Sequence, residues 1–302
     1  MSAISPPGIS HSDNASSIVL DLKNSLPNET LVAIFLDVSP AVLTSLARVC
    51  RQWRVVAEWY LYTNICISES LSSPFPGFPY NTTRCCKTII SHPHLAMGLR
   101  KFHLRWICND YVDHSDPRLH ITLSHVSSVI GLSANLESLD LSLSLPSHPD
   151  YPDPSFPGGD VIFHSLRYLS LSGVGYLQYS RLLQLLRNMP SMQYLRLPDY
   201  DGDLSLHPHT LPSLTSFCGS PRAAATVLPG RPVQSLALVG QDGVTEADLS
   251  QMAKTSVPLR HLDLSAMQAT LKLLRNVSRN LSMLESLKVK LALRYAGIVS
   301  PH

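Results

Sequence analysis

Apolar side chains recur along this chain with two different periods, and the change between them marks its organisation. From Ser25 onward the spacing is three to four: Leu31, Ile34 and Phe35 predict one face of a helix. Ser39-Pro40 supplies a cap residue followed by proline at the first helical position, and Leu43, Leu46, Ala47 and Cys50 continue a second helix. Trp53, Val56, Ala57 and Tyr60 define a third, and Ile65-Cys66-Ile67 reads as a short strand closing the unit.

Further along, the pattern becomes apolar-x-x-apolar-x-apolar. It recurs as Leu99/Phe102/Leu104, Leu136/Leu139/Leu141, Leu166/Leu169/Leu171 and Met192/Leu195/Leu197, then as Val233/Leu236/Leu238, Leu259/Leu262/Leu264 and Leu284/Leu287/Val289. A degenerate copy sits at Leu214/Phe217. Copies of roughly 20–29 residues with this spacing are the signature of leucine-rich repeats. The last two apolar positions of a copy share one face of a strand, and the first joins them through the preceding turn. A single copy cannot bury that face, whereas a stack can. Between the strands, Leu182, Leu183, Leu185, Leu186 and Met189 form a helix stripe stopped by Pro190, and Thr245-Glu246-Ala247-Asp248 resembles a capping box.

The predicted fold class is α/β, a small three-helix unit followed by a curved leucine-rich-repeat solenoid with parallel strands on its concave face. Residues 1–23, rich in Ser and Pro, are expected to be a disordered tail. Residues 24–68 hold the helical unit, 69–95 read as a Pro/Ser-rich linker, and 96–302 form the repeat domain. Five prolines between 145 and 160 (Pro146, Pro149, Pro152, Pro154, Pro157) mark a surface insertion. The position that regular arrays give to asparagine holds Ile107, Ser144, Val174, Tyr200, Gln241, Met267 and Ala292, so no side-chain amide ladder is expected. Ser170 and Asp263, each one residue past a core leucine, are expected to face away from the core and to tolerate change.

Two segments carry a family resemblance. Leu26-Pro27-Asn28-Glu29-Thr30-Leu31-Val32-Ala33-Ile34-Phe35 resembles the opening helix of an F-box, and Leu46-Ala47-Arg48-Val49-Cys50-Arg51-Gln52-Trp53-Arg54 resembles its valine-cysteine-x-x-tryptophan run. Spacing and order both match. Leu36-Asp37-Val38 joins the first two helices more tightly than in many members. With the repeats behind it, the chain is similar to F-box proteins with a carboxy-terminal leucine-rich-repeat domain. The resemblance implies that Leu26, Pro27, Leu31, Ile34, Phe35, Leu46, Val49, Cys50 and Trp53 bind the small Skp adaptor and, through it, a cullin scaffold. It further implies a substrate-recognition subunit of a ubiquitin ligase, whose repeats bind a target protein. The alternative is a non-catalytic repeat scaffold without ligase output.

Composition narrows the rest. The 24 basic and 22 acidic residues leave a formal charge of +2 and are scattered, with no basic run interleaved with aromatics, so a nucleic-acid partner is not expected. No apolar run nears bilayer length and the start lacks the order of a signal peptide, so no membrane partner is expected either. The six cysteines contain no Cys-x-x-Cys pair and read as reduced thiols, which favours an intracellular address in cytoplasm or nucleus.

Candidate chemistry is sparse. His92-Pro93-His94 and His207-Pro208-His209 lack a cysteine or carboxylate at ligand spacing, so no metal is expected. Asp199-Tyr200-Asp201-Gly202-Asp203 departs from a calcium loop and reads as a turn between repeats. Cys85-Cys86 reads as a packing pair. No nucleophile and base stand together, so neither catalytic residues nor a cofactor are expected. On the outward strand face the anchor types Tyr and Arg cluster at Tyr168, Tyr194 and Arg196, the expected target-binding hot spot. Basic residues of the end repeats favour a target of acidic character.

Overall fold

Proline placement and apolar spacing account for the first helices. In a computed structural model, which describes residues 26–72, 78–109, 117–145, 161–174, 179–207, 209–241 and 243–290, α1 spans Asn28–Phe35 directly after Pro27. The tail at 1–23 and the proline-rich stretch at 146–160 lie outside the described residues. Helix α2, Pro40–Leu46, begins on its proline; Ser39 precedes it without a side-chain capping bond. Helix α3 spans Arg51–Thr63. Leu31, Phe35, Leu43, Val56 and Ala57 are buried. The Phe35 and Trp53 rings meet edge to face at 5.6 Å. Gln52 Nε2 donates to Leu26 O and Asn28 Oδ1, tying the start of α1 to α3. The chain divides into two units, Met1–Ala57 and Glu58–His302.

The second unit is built on one sheet. Its strands are β1 Asn64–Ser72, β2 Lys101–Asn109, β3 Ser138–Leu145, β4 Tyr168–Val174, β5 Tyr194–Leu197, β6 Ser216–Gly219, β7 Ser235–Val239, β8 His261–Ala266 and β9 Ser286–Val289. Each pairs in parallel with the next, so sheet order equals chain order. The register aligns Ile65, Phe102, Leu139, Leu169, Leu195, Phe217, Leu236, Leu262 and Leu287 in one apolar row. All of these are buried except Leu287 on β9. The expected fold class, a helical unit followed by a parallel-stranded solenoid, is the one present.

Between the strands lie α4 Tyr80–Ser91, α5 Pro93–Gly98, α6 Pro117–Leu132, α7 Tyr179–Arg187, α8 Pro221–Val227, α9 Glu246–Met252 and α10 Leu271–Asn280. Helix α4 packs on α5 and α6, and α9 on α8 and α10. Uniform right-handed crossovers place such helices on one face of the sheet and leave the other open. The capping box is present at α9: Thr245 Oγ accepts from Asp248 N, and Asp248 Oδ2 accepts from Thr245 N. None of the helices among the described residues is long and apolar enough to cross a membrane.

Two sequence expectations need correction. The strand at Ile65-Cys66-Ile67 does not close the helical unit; it is the first strand of the sheet. The segment 69–95 is not a linker throughout, because it contains the end of β1, all of α4 and the first half of α5. Cys86, Ile89 and Leu95 are buried there, helix positions that the Ser/Pro cluster ahead of them obscured.

Without an asparagine ladder, cohesion between repeats rests on the main chain. At each repeat one carbonyl accepts two amides from the next: Arg100 O takes Glu137 N and Ser138 N, and Glu137 O takes Arg167 N and Tyr168 N. The series continues through Arg167, Gln193, Thr215, Gln234 and Arg260. Where no helix separates β5 from β6, a buried arginine organises the turn. The Arg231 guanidinium donates to the carbonyls of His207, Thr210, Val227 and Pro229.

Candidate protein-interaction surfaces

Helix spacing in the first unit divides its apolar residues between interior and surface. Leu31 and Phe35, spaced four apart on α1, point inward and are buried. They are therefore core residues and not accessible docking side chains, a correction to their expected role. Ile34 (51% exposed) and Val49 (61% exposed) lie on the surface with Leu26, Pro27 and Cys50, while Leu46 and Trp53 are half-buried. Val32, Leu36, Val42 and Val55 are also exposed. Sequence reasoning passed over these four, although Val32 and Leu36 share the i, i+4 spacing of a second face on α1. A unit this small with so many exposed apolar side chains has the character of a docking surface.

The open face of the sheet is the second surface. Outward rows follow from strand register: Lys101, Ser138, Tyr168 and Tyr194 in one, then His103, Asp140, Ser170 and Arg196, then Arg105, Ser142 and Ser172. The expected hot-spot residues Tyr168, Tyr194 and Arg196 are thus neighbours. The two tyrosine rings stack with centroids 4.6 Å apart and planes 6° from parallel. His103 stands 6.2 Å from Tyr168, and its Nε2 lies 2.8 Å from Ser138 Oγ. Burial raises the pKa of both tyrosines and lowers that of His103, which favours the neutral form of all three aromatic groups.

Ser170 is outward in register yet only 2% exposed. Nor is Asp263 a bystander: its Oδ1 accepts from Ser265 N at 2.8 Å and its Oδ2 from Lys288 Nζ at 2.9 Å. The expectation that both positions tolerate change is corrected on these grounds. Beside the tyrosine stack, a groove of about 410 Å³ runs across β1 to β5, with Arg105 and Arg196 among its lining residues.

Other candidate chemistry resolves into structure. Asp199 Oδ2 accepts from Gly173 N at 2.6 Å, and Asp203 pairs with Arg222, so this loop bridges repeats. Among the described residues no three His, Cys, Asp or Glu gather as a metal site. Burial pushes the Cys85 thiol up to about 11 and the Cys86 thiol up to about 12.

Residues 23–68 match the family model described as F-box-like. Among solved structures, the crystal structure of an internalin from Listeria monocytogenes is similar over 87% of this chain and 74% of that one, at 15% identity and a TM-score of 0.40. No curated protein matches the chain.

Proposed function

We propose, from the premise that this chain joins an F-box-like domain to a leucine-rich-repeat solenoid, that it is a substrate-recognition subunit of a Skp–cullin–F-box ubiquitin ligase. F-box domains generally bind Skp adaptors, and both kinds of module generally serve interaction and not catalysis. In this reading the exposed apolar surface of the first unit takes the adaptor, which brings a cullin scaffold. The open sheet face takes a target protein, held through Tyr168, Tyr194 and Arg196. The chain transfers nothing itself; it raises the effective concentration of the target beside a ubiquitin-charged enzyme.

The observation that carries the reading is the F-box-like match at residues 23–68, supported by exposed Leu26, Ile34 and Val49 within it. The test is capture of purified Skp adaptor by the full chain. Ile34→Asp combined with Val49→Asp is expected to weaken capture by about tenfold or more, with the melting temperature unchanged, since anchors in a docking surface carry most of its energy. Retention of capture by that folded variant would refute adaptor binding through this surface. Adaptor-dependent ubiquitination of a captured partner then separates a ligase subunit from an adaptor-bound scaffold.

A further inference from the structure

The groove on the open sheet face is built by side-chain length. Beyond the Ser138/Tyr168 pair, the outward residues of β3 and β4 are short: Asp140 and Ser142 pair with Ser170 and Ser172. On β2 and β5 they are long, with His103 and Arg105 on one side and Arg196 on the other. These walls stand three ladder steps apart, roughly 14 Å at ordinary strand spacing. The result is a groove of about 410 Å³ that extends to β1, with serine hydroxyls and the Asp140 carboxylate on its floor between Arg105 and Arg196.

Its charge is uneven along the strands. Asp140 shares a row with His103, Ser170 and Arg196, whereas the row one step further holds Arg105, Ser142 and Ser172 and no acid. Both arginines are exposed, and among the described residues neither is paired with a carboxylate. Elsewhere on the same face the comparable cation Lys288 is neutralised by Asp263. Two exposed guanidinium forks over hydroxyl donors match a carboxylate or phosphate group, which accepts bidentate bonds and additional hydroxyl donors. Asp140, one step away, suits a backbone or side-chain N–H of the same ligand.

We propose that this groove is a subsite for an oxyanion side chain of an extended peptide, held between Arg105 and Arg196 over Ser142 and Ser172, with Asp140 receiving a neighbouring donor. The site deepens the reading of the open face as target-binding and rests on it. Aspartate, glutamate and phosphoserine share the recognised chemistry, and the assay distinguishes them.

The test is a nuclear magnetic resonance titration of the nitrogen-15-labelled full chain with blocked single residues: acetyl-aspartate amide, acetyl-glutamate amide, acetyl-phosphoserine amide and, as neutral control, acetyl-asparagine amide. Saturable shifts at the Ser142 and Ser172 amides are expected with at least one acidic probe and not with the asparagine probe; the acidic probe that binds tightest identifies the source. Arg105→Gln and Arg196→Gln are each expected to weaken that binding about tenfold, the loss typical of one charge-assisted hydrogen bond. Both arginines are exposed, so the variants should keep the parent melting temperature. The proposal is overturned if no acidic probe gives saturable shifts, if the asparagine probe shifts the same amides equally, or if the double variant binds the acidic probe as tightly as the parent. Adaptor capture is not involved, so failure here and failure of the ligase reading are separate results.

Discussion

Arg231 is 2% exposed and donates to four main-chain carbonyls, and burial lowers its pKa. It does for the helix-free turn before β6 what regular repeats achieve with side-chain amides. Replacement by methionine leaves buried carbonyls without donors, and each such group costs about 1–3 kcal/mol. Arg231→Met is expected to destabilise the repeat unit by about 2–4 kcal/mol in urea unfolding. Arg231→Lys should fail to restore it, because a compact ammonium cannot span the spread of acceptors that a planar fork reaches. Parent stability in both variants would remove the arginine from this role. Gly219 is a second single-residue device. A Cβ there would stand 2.9 Å from the Phe217 ring and 3.3 Å from Leu197 O, so the large Phe217 occupies the space that a leucine fills in other copies. Restoring the repeat pattern with Gly219→Leu is therefore expected to cost about 1–3 kcal/mol through overpacking.

Among the elements, β8 and β9 are tied by the Asp263–Lys288 pair, which makes a pH signature. The Ser265 hydrogen bonds and the Lys288 ammonium hold Asp263 down to about 2, below its ordinary value of 3.8. A carboxylate depressed in the folded state contributes stability above its unfolded pKa and loses it as pH falls through the folded one. Asp263→Asn should thus be less stable than the parent near pH 7, with the difference shrinking below about pH 4, mostly lost near pH 2 and gone by about pH 1. A difference that persisted unchanged at pH 2 would show that packing and not charge is responsible. The same two strands show what the sequence made legible. Period-two leucines announced both, since Leu262 and Leu264 lie on the core face, and equivalent repeat positions set Asp263 beside Lys288; what the spacing did not show is that the carboxylate also accepts from Ser265 N. The hidden elements were α4 and α5, where serine and proline at 72–79 outweighed the helix stripe of Cys86 and Ile89. In the candidate docking surface the ambiguity was physical. Leu31 and Phe35 obey the same spacing whether a face packs inward or outward, and only closure of three helices assigned them to the interior. The Tyr168–Tyr194 neighbourhood was legible because strand register puts equivalent repeat positions side by side, whereas the groove was not, since it depends on contrasts of side-chain length across four strands.

At the scale of the whole repeat unit, stability should depend on position along the stack. Each interior strand packs its apolar row against two neighbours and shares amide–carbonyl ties with both, so its removal costs two interfaces in a quasi-one-dimensional array. Leu169 lies on β4, the fourth of the nine strands among the described residues, fully buried between Leu139 and Leu195. Leu287 occupies the equivalent place on β9, pairs among the described residues with Leu262 alone, and is 42% exposed. The two residues are chemically identical and differ only in place. Leu169→Ala should open a core cavity and cost about 2–5 kcal/mol. Leu287→Ala should cost about 1 kcal/mol or less, because much of its surface already meets water. Urea unfolding of the two variants measures the difference, and hydrogen exchange localises it. Amides of β4 should exchange near the global unfolding free energy, and those of β9 through cheaper local opening. Equal costs at the two leucines, with equal protection of the two strands, would mean that the array unfolds as one undivided block and that position in the stack carries no energetic meaning.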